Sequence, residues 1–222
     1  MNDLTRAIVS IFSTYKSCIP EPIYEFGSMQ VKGQEGSADL RKYFLGTNFI
    51  GCDIREGLGV DRIENVESIN LPDDSIGTCL CLNTLEHVQN PEQAIKEMIR
   101  VTSGTLLIAV PFKFPVHEFP SDYWRMTPQC MGYLLTKYAK PGSIMFLFGY
   151  GTNLEPETVL GMLIRNNPSG LTNMYNTLGR LCTEYNKRAV KIDKMKKYLP
   201  GNLVGFLSQH FIKLSLQVDL AD

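Results

Sequence analysis

Apolar residues recur along the chain in two alternating patterns. Residues 1–20 carry Leu4, Ile8, Ile11, Phe12 and Tyr15 at helical spacing, which predicts an amphipathic helix that ends before Pro20. Short apolar runs then predict strands at PIYEFG, TNFIGCD, GVDRIENVESI, GTCLCLN, GTLLIAVP and SIMFLFGYG. Between them, SADLRKYF, NPEQAIKEMIRV and TPQCMGYLLTKY predict helices.

Residues at the helix starts support this assignment. Ser37, Asn90 and Thr127 stand where N-caps are expected, and a proline follows each of the last two. Short strands that alternate with helices predict an α/β fold with a mostly parallel sheet and helices on both faces. Ligands of such sheets bind beyond the carboxyl ends of the strands, where the strand order reverses.

After Gly151 the pattern becomes helical. A stripe at a period of 3.6 residues predicts a long packed helix through Leu171, Met174, Tyr175, Leu178, Leu181, Cys182 and Tyr185. A basic stretch follows, formed by Lys187, Arg188, Lys191, Lys194, Lys196 and Lys197. We expect it to be a solvated helix face, with contact to an anionic partner or a membrane surface as the alternative. The apolar tail after it fits a strand or a helix.

These patterns divide the chain into an N-terminal helix at 1–20, a core at 21–151 and a mainly helical extension at 152–222 that packs on the core. With 222 residues and 44% hydrophobic content, the chain is expected to bury one core. A net charge of −1 gives no indication of a nucleic-acid partner. The six cysteines form no C-x-x-C pair, and no leader or bilayer-spanning run is seen, so a soluble cytoplasmic protein is expected.

The first two strand ends carry acids. The stretch IYEFGSMQVKGQEG ends its strand at Gly27, but Gly33 and Gly36 come too late for the G-x-G-x-x-G loop that holds a pyrophosphate. Glu25 would repel a phosphate and suit a cationic ligand, unless it only caps a neighbouring backbone group. Asp53 ends the second strand, where a carboxylate can take both ribose hydroxyls. A ribose, a positive charge and no phosphate together favour S-adenosylmethionine.

The strand-one turn, GCDIREGLGVDRI, VESINLPDDSIGTCLCLNTLEHVQNP and FPVHEFPSDYWRMTP together resemble a class I (Rossmann-like) S-adenosylmethionine-dependent methyltransferase. More narrowly, they resemble bacterial methyltransferase-domain proteins associated with surface-glycan or small-molecule modification. The resemblance covers roughly residues 22–135. The first loop departs from the usual E-x-G-x-G-x-G, because only Gly27 of it remains.

The resemblance implies a set of cofactor-binding residues: Glu25, Phe26, Gly27, Ser28, Asp53, Ile54, Arg55, Asn65, Val66, Asn83, Thr84 and Leu85. In it, the Glu25–Ser28 turn meets the methionine end and Asp53 meets the ribose. Ile54 packs on the adenine, while Asn65 accepts from the adenine amino group. Asn83 and Thr84 flank the amino-acid portion. For Asn65 and Thr84, ordinary loop chemistry is the alternative.

Histidine chemistry enters through the acceptor. A hydroxyl acceptor needs a base, and His117 is the predicted one because it follows strand five, with Glu118 and Asp122 near enough to orient it. Packing within its own loop is the alternative role. The residues predicted at the acceptor are His87, Asp122, Tyr123 and Trp124, whereas His210 in the apolar tail is expected to be structural. No metal is expected.

The predicted function is therefore O-methylation of a sugar or small metabolite. Alternatives are an N-methyltransferase without a base, a non-catalytic cofactor-binding partner protein and a scaffold on a membrane surface. A nicotinamide oxidoreductase would need the pyrophosphate loop that this chain lacks. The sequence leaves the oligomeric state open.

Overall fold

One sheet organises the computed structural model, which describes residues 9–10, 12–33, 35–117, 121–150, 158–165 and 218–219. Its strands are β1 (Ile23–Phe26), β2 (Phe49–Asp53), β3 (Arg62–Ile63), β4 (Ile76–Leu82), β5 (Thr102–Pro111), β6 (Ile144–Tyr150), β7 (Thr158–Ile164) and β8 (Val218–Asp219). The strand order is β3-β2-β1-β4-β5-β7-β6-β8. Neighbouring pairs from β3 to β5 are parallel, and β7 runs antiparallel to both β5 and β6. The predicted mostly parallel α/β sheet is thus confirmed.

Helices lie on both faces of this sheet. They are α1 (Glu35–Ala38), α2 (Pro91–Val101) and α3 (Pro128–Tyr138), with 3-10 turns at Lys16–Cys18, Arg41–Tyr43 and Leu85–His87. Residues 9–10 and 12–14 are helical as well. One apolar core contains Met98 of α2 and Leu135 of α3, and the other contains Phe12 and Phe44. The sheet is therefore covered on both sides, as its continuous apolar strands require.

Local sequence signals set the helix starts. The Asn90 side chain accepts from the Gln93 backbone N–H at 3.0 Å, and Thr127 accepts from Cys130 N–H at 3.1 Å, so both predicted N-caps are confirmed. The prediction for SADLRKYF was wrong in detail. The α1 helix ends at Ala38, because Asp39 accepts from the Arg41 N–H at 3.0 Å and starts a separate 3-10 turn. Ser37 consequently lies inside α1 and not at its cap.

Strand β7 lies beyond residue 151, where the predicted core ends. It lies within the segment 152–222 that was expected to be mainly helical, and it pairs between β5 and β6. All seven of its residues are buried, so the strand shows no polar alternation that would distinguish it from a buried helix. The core sheet therefore extends to Ile164.

The rest of that segment falls outside the described residues, including the predicted long helix, the basic stretch and His210. The described part of the tail is the strand β8, which pairs antiparallel with β6. Within the described residues, no helix combines the length and the apolar character needed to cross a membrane.

The two cysteines of β4 are core residues. Cys79 and Cys81 are both fully buried in the core that contains α2 and α3. Burial raises the pKa of both thiols well above the ordinary value of 9.0. They therefore stay protonated and act as apolar core residues.

Candidate functional site

The turn after β1 contacts the end of β4 at the point where the strand order reverses. Gly27 has φ +86°, and a Cβ atom built on it would lie 2.0 Å from Thr84 Oγ1. The Thr84 hydroxyl in turn donates to the Phe26 carbonyl at 3.2 Å. Only glycine fits this position, because it needs a left-handed backbone and a close approach at once. Thr84 thus braces the turn, and Phe26 contributes its carbonyl while its ring is buried in the core.

Glu25 is buried beneath this turn. Burial raises the pKa of its carboxyl from an ordinary 4.5 to about 8, and the neighbouring Arg41 guanidinium opposes that rise. The carboxyl is therefore mostly protonated at neutral pH in the free chain. A cationic group placed beside it would favour its ionised form.

Ser28 is buried next to the same turn. Among the described residues, its Oγ has no hydrogen-bond partner. Buried hydroxyls are normally paired, so this oxygen is available to a bound ligand.

A polar clamp fixes the loop between β2 and β3 against this turn. Arg41 donates to the Gly59 carbonyl at 2.7 Å and to Asp61 Oδ2 at 2.5 Å. The same Asp61 oxygen accepts from the Gly51 N–H at 2.7 Å. Arg41 and Asp61 were not predicted as residues of this region, because their partners are distant in sequence and match no motif.

The end of β2 has the features of a nucleoside site. Asp53 accepts from the Arg55 backbone N–H at 3.1 Å, which holds its carboxylate at the strand end. Ile54 is 62% exposed, and the apolar residues Leu58 and Ile63 are exposed to a similar extent. Asp53 pairs with Ile63 in the β2–β3 register, so a carboxylate and apolar surface lie side by side. An adenosine combines these two demands, with hydroxyls at one end and a flat apolar ring at the other.

Asn65 and Val66 form the turn after β3. The Asn65 side-chain oxygen accepts from the Glu67 N–H at 2.9 Å, which is the ordinary loop role considered for it. Val66 is buried in the core. An acceptor role of Asn65 toward adenine would therefore have to share an oxygen already engaged.

The turn after β4 begins with Asn83 in the left-handed region, at φ +55°, and its N–H donates to the Ala109 carbonyl at 2.8 Å. Asparagine tolerates this backbone conformation better than most residues. Leu85 is fully buried, and its side chain packs in the core. The next two residues, Glu86 and His87, lie closest to the loop that follows β5.

That loop is held by an ion pair. Arg125 binds both oxygens of Asp122 and also donates to the carbonyls of Phe114 and Pro115 at 3.3 and 3.2 Å. Arg125 holds the pKa of the Asp122 carboxyl well below its ordinary 3.8. The Asp122 side chain is only 2% exposed, and its carboxylate joins Arg125 to the His117 backbone, so its predicted contact with an acceptor stays a prediction. Arg125 was not predicted as a residue of this region either.

His117 is positioned by this clamp. Its backbone N–H donates to Asp122 Oδ2 at 2.8 Å, and its ring Nδ1 lies 3.0 Å from the same oxygen without the geometry of a hydrogen bond. The His117 ring packs edge-on against His87, with centroids 5.0 Å apart. The sequence-predicted pair His87 and His117 is thus brought together. Glu118 lies outside the described residues.

Glu86 is the residue of this region that the sequence analysis overlooked. It is 1% exposed, and burial raises the pKa of its carboxyl from 4.5 to about 7. Its Oε1 lies 3.8 Å from His87 Nε2. The predicted motif LEHV contains it, but an acid in a polar loop gave no sign that it would be buried.

Two aromatic residues, Tyr123 and Trp124, belong to the same loop. Trp124 donates its indole N–H to the Val88 carbonyl at 2.9 Å, yet its side chain remains 43% exposed. The Tyr123 backbone N–H donates to the Glu86 carbonyl at 2.7 Å, and its ring is half exposed. Both side chains present surface to solvent, and their predicted place at the acceptor stays a prediction.

Comparison with known proteins shows which family and which solved structures the chain is similar to. Residues 35–108 match the family described as the methyltransferase domain. A search of curated protein sequences finds no significant match.

Among solved structures, an S-adenosylmethionine-dependent methyltransferase from Archaeoglobus fulgidus superposes with a TM-score of 0.54 at 13% identity, covering 73% of this chain and 94% of that one. A magnesium protoporphyrin IX methyltransferase from Synechocystis, with bound S-adenosylmethionine, gives 0.52 at 14% identity over 73% and 79%. A possible histamine N-methyltransferase from Thermotoga maritima gives 0.51 at 16% identity over 72% and 89%.

The chain shares its Rossmann-like α/β fold with these structures. The methyltransferase-domain match over residues 35–108 and the shared fold make the chain similar to S-adenosylmethionine-dependent methyltransferases. The residues fit that cofactor on three observations: the tight Gly27–Thr84 contact, the buried unpaired Ser28 hydroxyl and the Asp53 carboxylate beside exposed apolar surface.

Proposed function

We propose that the chain transfers the methyl group of S-adenosylmethionine to a hydroxyl oxygen of a sugar or small metabolite. The observation that carries this proposal is the pairing of His87 and His117 at the carboxyl ends of β4 and β5. Thr84, which braces the cofactor turn, precedes His87 by a single turn of the same loop. A proton-accepting group therefore lies beside the cleft in which a methyl group would be presented.

The bound cofactor supplies an electrophilic methyl group on a sulfonium sulfur. Alignment of two reactants can contribute up to about 7–11 kcal/mol, so the acceptor wall matters as much as any base. Tyr123 and Trp124 provide that wall, because both rings are anchored by backbone contacts and half exposed. Their flat surfaces suit the apolar face of a sugar or an aromatic ring.

In this proposal His117 takes the proton that the acceptor hydroxyl loses. Its ring is partly exposed, while the Asp122–Arg125 clamp fixes the loop that carries it. Proton transfer by a positioned residue contributes roughly 10²–10⁴-fold in rate. An imidazole suits the role because it titrates near neutral pH.

The test is formation of the demethylated cofactor in the presence of a panel of hydroxyl and amine acceptors. We expect turnover with hydroxyl compounds, and a drop of roughly 10²–10⁴-fold in His117→Ala with little change in cofactor affinity. Tyr133→Ala is the control, because it removes an exposed ring on α3 outside this loop. Turnover with amines alone, or full activity of His117→Ala, would contradict O-methylation with His117 as base.

A further inference from the structure

Glu86, His87 and His117 bring three metal-ligand atoms together. One carboxylate oxygen and one ring nitrogen from each histidine all lie within 4.8 Å of one another. Ligands bound at about 2.0–2.2 Å from one ion stand roughly 3–3.5 Å apart. Small side-chain rotations would therefore close the cluster around an ion.

The hydrogen bonds of His87 leave the correct nitrogen available. Its Nδ1 lies 2.5 Å from the Ser121 carbonyl oxygen, which can only accept, so this nitrogen carries the proton. In the neutral ring Nε2 then carries a lone pair, and Glu86 Oε1 lies 3.8 Å from it. The two atoms are too far apart for a hydrogen bond, and a cation between them would be bound by both.

Asp122 acts on His117 in the way that outer-shell acids act on metal-bound histidines. Its Oδ2 lies 3.0 Å from His117 Nδ1 without the geometry of a hydrogen bond, and a small rotation of the ring would let Oδ2 accept from that nitrogen and leave Nε2 for a ligand role. Arg125 holds the Asp122 carboxylate from the other side. Both histidines thus have an oxygen on the Nδ1 side, the arrangement that fixes ring orientation in metal sites.

Glu86 gives an independent indication. The residue is 1% exposed, and among the described residues its Oε2 has no hydrogen-bond partner. Buried carboxylates normally have a cation or several donors around them. A bound ion beside the carboxylate would remove this deficit.

We propose that Glu86, His87 and His117 form a binding site for a divalent first-row transition metal ion. Two imidazoles and one carboxylate suit Zn²⁺, Mn²⁺, Fe²⁺ or Co²⁺, whereas Mg²⁺ and Ca²⁺ prefer sites made of oxygen alone. Three protein ligands leave coordination positions open, and an acceptor hydroxyl bound there would be acidified by the ion. His117 would then be a ligand and not the base, so this inference goes beyond the proposed function and competes with one part of it.

The test is metal binding by the full-length chain after chelator treatment, without cofactor or acceptor. Calorimetry with Zn²⁺ and visible absorption with Co²⁺ should show stoichiometric binding, with Mg²⁺ and Ca²⁺ far weaker. Glu86→Gln should weaken binding by about 100-fold or more, since even loss of an outer-shell partner costs roughly 10–100-fold. Glu92→Gln is the matched control, because that exposed acid pairs with Lys137 outside the cluster.

His117→Ala covers the case in which the buried Glu86 variant fails to fold, because His117 is partly exposed and its loss should weaken binding similarly. The inference is overturned if the native chain binds neither Zn²⁺ nor Co²⁺, or binds only Mg²⁺. Equal binding by the native chain and His117→Ala would overturn it as well. Because no methyl transfer is measured, a negative result leaves the proposed O-methylation standing, and an inactive enzyme leaves the metal site standing.

Discussion

The affinity for S-adenosylmethionine should rise with pH near neutrality, because the cofactor's cationic methionine end is proposed to meet Glu25. Burial raises the pKa of this carboxyl to about 8 in the free chain. At pH 7, one unit below this pKa, ionising the carboxyl costs about 1.4 kcal/mol, which lowers the affinity about tenfold.

The expected slope is close to tenfold in affinity per pH unit between about pH 6 and pH 7.5. An α-amino group has a pKa of about 7.7–8.0, so the ligand's own titration flattens the slope only toward the upper end of this window. Calorimetry at several pH values measures the slope directly. Methylthioadenosine is a suitable control ligand, because it keeps the adenosine but has no amino-acid end and should bind without this slope.

Glu25→Gln is the matched variant, since it preserves the shape of the side chain and removes its titration. It should bind the cofactor with a flat pH profile. A flat profile for the native chain, or an unchanged slope in Glu25→Gln, would refute the role of Glu25. An independent check uses the free chain. The raised pKa means that Glu25 stabilises the fold below pH 4.5 and that this contribution is lost as the pH rises through about 8. Thermal unfolding should follow that sign, and less so in Glu25→Gln.

Further substitutions test the site and the fold separately. Asp53→Ala should weaken cofactor binding by about 1.5–3 kcal/mol, the range for hydrogen bonds to a charged group, whereas the exposed Asp73→Ala should not; equal affinities would remove Asp53 from the ribose. Gly27→Ala should abolish binding and lower the unfolding temperature far more than Gly46→Ala, which shares a positive φ but has open space for a Cβ atom; similar losses would mean that backbone conformation alone matters. Asn90→Ala should cost about 1 kcal/mol in urea unfolding with cofactor affinity unchanged, and no loss would show that the cap is dispensable.

The sequence predicted the parts of the fold that repeat a local pattern. The strands up to β6 and the caps Asn90 and Thr127 follow from apolar runs and from residue types with a strong local preference. Strand β7 was missed, although its residues are as buried as those of β4, which was predicted from its apolar run. Its place between β5 and β6 depends on pairing across the sheet, which no local window contains.

The candidate site divides in the same way. Gly27 and Asp53 were found because they follow strand ends, where the fold class places ligands. Glu86 and Arg125 were missed because their importance comes from burial and from partners on another loop. Asp122 was predicted both to orient His117 and to lie at the acceptor, and the structure places it against His117 with Arg125 bound to both of its oxygens.

The position of β7 also bears on the order in which the chain can assemble. The parallel strands β1 to β5 are complete once the ribosome has passed residue 111, but β5 then has an unpaired edge whose residues from Leu106 to Pro111 are apolar. The β5 edge stays unpaired until β7, which is synthesised after β6, pairs with it. The strands β6 and β7 therefore enter the sheet as an antiparallel pair, with β7 next to β5. A chain truncated before residue 158 would keep the edge open and should self-associate during synthesis. Protection of nascent chains therefore matters most over the last stretch of translation.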